Sequence, residues 1–116
     1  MLFRSLLCFR ASHPKWSFAR LGEDGLVAEV AEKRPISDLA STGIYYFKHG
    51  KDYVNAAESM IRKDIRTNGE FYVCPVFNEM IEDGKKIKVV EIASDQMWGL
   101  GTPEDLQRFL QREEAG

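Results

Sequence analysis

Alternation of apolar and polar residues in five short stretches, and helical spacing in three others, predict an α/β domain. The expected architecture is a mixed sheet of about five strands with about three helices. A third observation sets the connectivity. Three strand-like stretches come first and a polar crossing leads to a fourth. Two helical stretches, a fifth strand and a last helix follow, so parallel and antiparallel neighbours are both expected.

The first strand is predicted over Ser5 to Ala11, with Leu6, Cys8 and Arg10 on one side and Leu7, Phe9 and Ala11 on the other. His13-Pro14 interrupts it. Trp16 to Leu21 alternates next, with Trp16, Phe18 and Arg20 sharing a face. Gly22-Glu23-Asp24-Gly25 is a turn signal, so Trp16 to Glu32 reads as a hairpin. Its second strand, Leu26 to Glu32, directs Leu26, Ala28 and Val30 one way and Val27, Glu29 and Ala31 the other. Pro35 removes a backbone donor and Ser37-Asp38 supplies turn chemistry. The chain re-enters the sheet at Ser41 to Phe47, where β-branched and aromatic residues surround Gly43.

Beyond His49-Gly50 the period changes. Tyr53, Val54, Ala57, Met60, Ile61 and Ile65 form one helical stripe, with Asp52 among the residues expected outside it. Thr67-Asn68-Gly69 ends the pattern. A second helix is predicted from about Pro75 to Asp83, burying Val76, Phe77, Met80 and Ile81, with Gly84 as its stop. Lys86 to Ile92 alternates again. Thr102-Pro103-Glu104-Asp105 then has the form of a helix start: a capping hydroxyl, a first-turn proline, and acids where the helix dipole favours them. Leu106, Phe109 and Leu110 are the expected buried stripe of this last helix.

The length of 116 residues suits a single domain over residues 1–116. With 44% hydrophobic and 29% charged residues, the composition is that of a globular chain. A net charge of -2 argues against a nucleic-acid partner. No run approaches the roughly 18 apolar residues of a membrane span, so no membrane partner is expected. The start, Met1 to Ser12, is apolar with arginines, but Arg4 and Arg10 cut the run short of a signal-peptide core. Cys8 and Cys74 are far apart and lack metal-type spacing, so both are read as buried thiols in a reducing, cytoplasmic setting.

Four phrases occur in one order: Ala31-Glu32-Lys33-Arg34-Pro35, Ser41-Thr42-Gly43-Ile44-Tyr45-Tyr46-Phe47, Asn68-Gly69-Glu70-Phe71-Tyr72, and Met97-Trp98-Gly99-Leu100-Gly101-Thr102-Pro103-Glu104-Asp105-Leu106. Together they resemble the C-terminal half of the sugar-1-phosphate nucleotidyltransferases, the group that includes glucose-1-phosphate thymidylyltransferase. The resemblance runs from His13 onward. It implies a partial Rossmann-like nucleotidyltransferase fold, with a sugar phosphate and a nucleoside triphosphate as the substrates of the full-length enzymes. It also implies roles for particular residues. Glu32 would accept hydrogen bonds from sugar hydroxyls and Lys33 would face the phosphate. Thr42, Gly43 and Tyr45 would line the same pocket, and Glu70 would lie near it. Gly43, having no side chain, would leave room for the ligand.

Read from the residues alone, each position has a plainer account. Glu32-Lys33 fits a solvated strand end, Gly43 a bulge, Tyr45 a core aromatic, and Glu70 a first-turn acid of a helix. The chain also departs from the family. A counterpart of the glycine-rich, triphosphate-cradling loop is missing, and so is the first of the two aspartates that hold Mg²⁺ in the full-length enzymes. Gly99 stands where the second aspartate is often found, and Asp95 is four positions away from it. The expected function is therefore the acceptor side of nucleotidyl transfer, with little or no activity alone. The rival expectation is a non-catalytic interaction module. In either case a second copy or a partner chain would cover the exposed sheet edge.

Overall fold

The computed structural model describes residues 4–115, with side chains described through residue 112. Met1–Phe3, the start of the stretch weighed above as a leader, lie outside the described residues. Five strands form one sheet: β1 (Arg4–Arg10), β2 (Ser17–Leu21), β3 (Val27–Glu32), β4 (Leu39–Tyr46) and β5 (Ile87–Glu91). Helices α1 (Gly50–Arg62) and α2 (Val76–Glu82) connect β4 to β5, and α3 (Pro103–Ala115) follows a short 3-10 turn at Ser94–Gln96.

The sheet order is β3-β2-β4-β1-β5. All neighbours are antiparallel except β1 and β5, which run parallel, so the sheet is mixed as expected. Phe18, Phe77 and Leu6 anchor the interior. One face buries Leu6, Cys8, Ala19, Val30 and Ile87 beneath Ala56 and Met60 of α1 and Phe77 and Met80 of α2. The opposite face carries a smaller cluster, Phe9, Phe18 and Ala40, closed by Trp16, Ile36 and Met97. The outer edge of β3 is covered by a side chain: Asn78 of α2 accepts from the Val30 N–H and donates to the Val30 carbonyl, both at 2.8 Å. An amide thus takes the place of a neighbouring strand.

Several details differ from the sequence expectations, each for a physical reason. β4 begins at Leu39, because Ser37 closes the preceding turn by donating to the Ala19 carbonyl at 2.6 Å and accepting from the Leu39 N–H at 3.1 Å. Val27 and Val30 lie in the same core cluster, although strict alternation separates them. A bulge where Leu21 pairs with Val27 changes the parity of β3. In α1, Asp52 is buried in an ion pair with Arg4, while Val54 and Ile61 stay about half exposed. In α3, Asp105 is buried and Leu106 and Leu110 remain exposed. In both helices a charge with a specific partner displaces apolar residues from the inward side. The Thr102 cap is present, its hydroxyl accepting from the Asp105 N–H at 3.1 Å. Cys8 and Cys74 are free and buried, and burial pushes both thiols up to about 12, so they stay protonated. Among the described residues, no helix is long and apolar enough to cross a membrane.

Candidate functional site

β2 and β4 pair at one position, Phe18 opposite Ala40. Past that point the strands part. Trp16 and Ser17 then face Ser41, Thr42 and Gly43 across a wedge-shaped hollow of about 340 Å³. Four of the six residues nominated from the sequence, Glu32, Thr42, Gly43 and Tyr45, line this wedge. Lys33 lines a second hollow of about 680 Å³, which shares Lys15, Trp16 and Thr42 with the first, so the two are contiguous.

Glu32 ends β3, where its backbone pairs with Ser17. Burial pushes its carboxyl above the usual range, against the opposing pull of the Lys33 ammonium. Lys33 follows in the left-handed region at φ 57°, uncommon for a residue with a side chain. Its N–H donates to the Trp16 carbonyl at 2.9 Å, which holds the turn. Its Nζ donates to the Tyr72 hydroxyl at 2.9 Å and lies 5.0 Å from that ring's centroid. Among the described residues, no carboxylate lies within ion-pair distance of it.

The bulge in β4 shapes the opposite wall. Between Leu6 and Cys8 the β1–β4 register shifts, and Gly43 takes φ 89°. Its N–H donates to Ser41 Oγ at 3.0 Å, and Thr42 Oγ1 donates to the Leu7 carbonyl at 3.0 Å. Gly43 lines the hollow, and its backbone angle accounts for a glycine here. A Cβ at this position would meet no protein atom within 4 Å, so within the protein it is the positive φ, not crowding, that favours glycine. Tyr45 packs 5.6 Å from the Phe77 ring and is raised to about 12 by burial, so it remains a neutral donor and acceptor beside Ser17 and Ser41.

Glu70 does not line the wedge, although its charge acts on Lys33. It sits in a turn, its carbonyl accepting from the Thr67 N–H at 2.8 Å and its own N–H donating back at 3.0 Å. It is exposed, lines neither hollow, and is in no helix. Sequence reasoning in turn passed over Lys15, Trp16, Ser17, Ser41, Tyr72 and Asp105. Asp105, in the first turn of α3, carries the strongest geometry of these: Lys15 Nζ reaches its two oxygens at 2.9 and 3.1 Å. That contact holds the carboxyl below its usual range, and Arg108 adds to it at 3.8 Å. The one signal for the pair was the ionisable residue in Pro14-Lys15-Trp16, just where a strand begins.

The Mg²⁺ implied by the resemblance finds no fitting donor set among the described residues. Among the described residues, no group of three or more His, Cys, Asp or Glu side chains could hold a metal ion. At Gly99 a Cβ would come within 2.9 Å of Trp16 Cη2 and 3.3 Å of Asp105 Oδ2, so the backbone there is packed against the tryptophan.

No family model matches the sequence, and no curated protein matches it. Solved structures do. A nucleoside-diphosphate-sugar pyrophosphorylase from Vibrio cholerae RC9 superposes with a TM-score of 0.85 at 34% identity, over 93% of this chain and 46% of its own. A Bacillus anthracis protein assigned as a glucose-1-phosphate thymidylyltransferase, solved with sucrose, gives 0.64 at 23% identity over 91% of this chain and 41% of its own. CMP:2-keto-3-deoxy-manno-octonic acid synthetase, solved with CTP, gives 0.55 at 16% identity over 97% and 50%. The last two likenesses concern the fold alone. Fold and likenesses together define a nucleotidyltransferase-type α/β domain. Within that class the chain is similar to part of a nucleoside-diphosphate-sugar pyrophosphorylase, and it spans half or less of the length of the structures it matches.

Proposed function

We propose that this chain is the C-terminal, acceptor-binding portion of a sugar nucleotidyltransferase and that it binds a sugar 1-phosphate in the wedge between β2 and β4. The observation that carries the reading is the convergence of Glu32, Thr42, Gly43 and Tyr45 on one hollow, with Lys33 on the next. Sugar hydroxyls need acceptors and donors close together, and Glu32, Tyr45, Ser17 and Ser41 supply them. A phosphate monoester needs a cation, and among the described residues Lys33 has no carboxylate at ion-pair distance, although the charges of Glu32 and Glu70 act on it.

In the transfer, a phosphate oxygen of the sugar phosphate attacks the α-phosphorus of a nucleoside triphosphate and pyrophosphate leaves. The protein's contribution to such a step is placement and charge stabilisation. This chain's residues would hold the attacking phosphate and orient its sugar. The triphosphate would be held by another half or partner chain. Isothermal titration with glucose 1-phosphate, glucose and inorganic phosphate tests the reading. The sugar phosphate is expected to bind more tightly than either part, and Glu32→Gln to weaken it. No pyrophosphate release is expected when triphosphate is added to the chain alone. Equal affinity for phosphate and for the sugar phosphate, or robust pyrophosphate release, would contradict it.

A second reading, an interaction module, has its own observation. Ile44 is 62% exposed and Val90, which pairs with Leu7, 46% exposed, leaving apolar side chains uncovered on the sheet. Light scattering tests it: association of the purified chain supports the reading, and a monodisperse monomer at high concentration counts against it.

A further inference from the structure

Lys15 lines three contiguous hollows: the wedge, the larger hollow beside it, and a third of about 300 Å³ reached past Trp16 and Trp98. Among the described residues no other cation does so. Lysine side chains at a surface ordinarily sample many rotamers, because ordering them costs entropy with little return. This one is held. Both oxygens of Asp105 accept from its Nζ, and the ammonium lies 4.8 Å from the centroid of the Trp16 ring. Asp105 is 7% exposed, whereas the Lys15 side chain keeps 29% of its surface open. The buried carboxylate therefore fixes a cation whose open side looks into the hollows. An ammonium has three donors, so contact with one carboxylate leaves capacity for a ligand oxygen.

The charges nearby set what can bind. Glu32 and Asp105 bring negative charge and Lys15 and Lys33 positive charge to the two larger hollows. Arg108 Nη1, 3.8 Å from Asp105 Oδ1, shares the aspartate's charge. Among the described residues Lys33 has no carboxylate at ion-pair distance, though the charges of Glu32 and Glu70 act on it, and Lys15 is only partly neutralised. We propose that Lys15 is a second anion-binding residue of this site and Asp105 its positioning residue, so that a phosphoryl dianion is bridged between Lys15 and Lys33. The inference rests on the reading of the wedge as a sugar-phosphate site. It adds that the bound group is a dianionic monoester rather than a singly charged one.

The test uses the full chain with ¹⁵N-labelled lysine, glucose 1-phosphate and inorganic phosphate, with glucose 1-sulfate as the singly charged comparison. Glucose 1-phosphate is expected to bind better than the sulfate, and its addition to shift the Lys15 Nζ resonance. Lys15→Met is expected to lower its affinity about tenfold, the usual worth of a charge-assisted contact, while Lys15→Arg retains most of it. Asp105→Asn gives the sharpest division between charge and position. It makes the site more positive, yet affinity is expected to fall a few-fold and the Lys15 Nζ signal to vanish into solvent exchange. Unchanged or raised affinity in Asp105→Asn overturns the positioning role. A Lys15→Met chain that unfolds more easily but binds equally well shows a tie for α3 and overturns the inference. Should that variant fail to fold, an unmoved Lys15 Nζ resonance in the unaltered chain overturns it instead. If Lys33→Met weakens binding and Lys15→Met does not, this inference alone fails. If the unaltered chain binds no sugar phosphate, the reading beneath it fails too.

Discussion

Alanine at Gly43 isolates the backbone angle on which the wedge wall depends. At φ 89° a residue with a Cβ is strained, and the open space around that Cβ means no clash contributes. The left-handed region costs an L-residue about 1–2 kcal/mol. Alanine also stiffens the unfolded chain, which returns about 0.4–1 kcal/mol. The net expectation is a loss of about 1 kcal/mol, or roughly 3–5 °C in Tm for a chain of this size. Urea unfolding followed by tryptophan fluorescence measures it. The mirror-image residue is the control. D-alanine at position 43, introduced by ligation, prefers positive φ and should stabilise the chain by about 0.4–1 kcal/mol. Equal destabilisation by both enantiomers would mean that a side chain collides there. No change with L-alanine would mean that the angle is not required, and the account of the wall would be wrong.

Gly99→Asp places a carboxylate against Trp16 and beside Asp105, and should cost about 1–3 kcal/mol of stability in denaturant unfolding, as overpacking does. Asn78→Ala removes both hydrogen bonds that cover the β3 edge. It should lower stability by about 1–3 kcal/mol and produce concentration-dependent association in light scattering. The pH dependence has a definite sign. Arg4 and Lys15 hold Asp52 and Asp105 below their ordinary 3.8, and Glu79, which burial alone would raise, is brought below 4.5 by Lys63 and Ser59. Their stabilisation is present above those ordinary values and lost as pH falls through the lower folded ones. Glu32 acts the other way: its raised carboxyl favours the folded state below 4.5, and that contribution is lost as pH rises through its folded value. Glu32→Gln should therefore raise stability at neutral pH and flatten the profile just above 4.5, as read from Tm against pH.

Every strand and helix was legible in the residues, because period two and period 3.6 are properties of the chain itself. Trp16 and Phe18 share the small cluster, and Thr102 caps α3, as spacing predicts. What escaped was set by partners distant in sequence. Asp52 is inside because Arg4, forty-eight positions earlier, meets it, and Asp105 because Lys15 does. No local pattern encodes either contact. The parity change at Val27 arises from a bulge that alternation does not contain, whereas the bulge at Gly43 is the plain reading of that glycine in a strand. The four residues that share the wedge could be nominated because their phrases resemble those of a family; Glu32 ends β3 and the other three lie within β4. Lys15, Ser17 and Ser41 were passed over because a lysine before a strand and serines within strands have no signature until β2 and β4 are seen to part. Glu70 was nominated by phrase alone; its turn leaves it off the lining of both hollows, with its charge acting on Lys33.

The most direct test is an amide-resolved NMR titration of the chain with a hexose 1-phosphate. Saturable shifts gathered on Ser17, Glu32, Lys33, Ser41 to Tyr45 and Tyr72 are the predicted result. Saturable shifts gathered instead around the hollow at Gly22 to Ala28, or none at concentrations where glucose and phosphate together give none, would contradict the account.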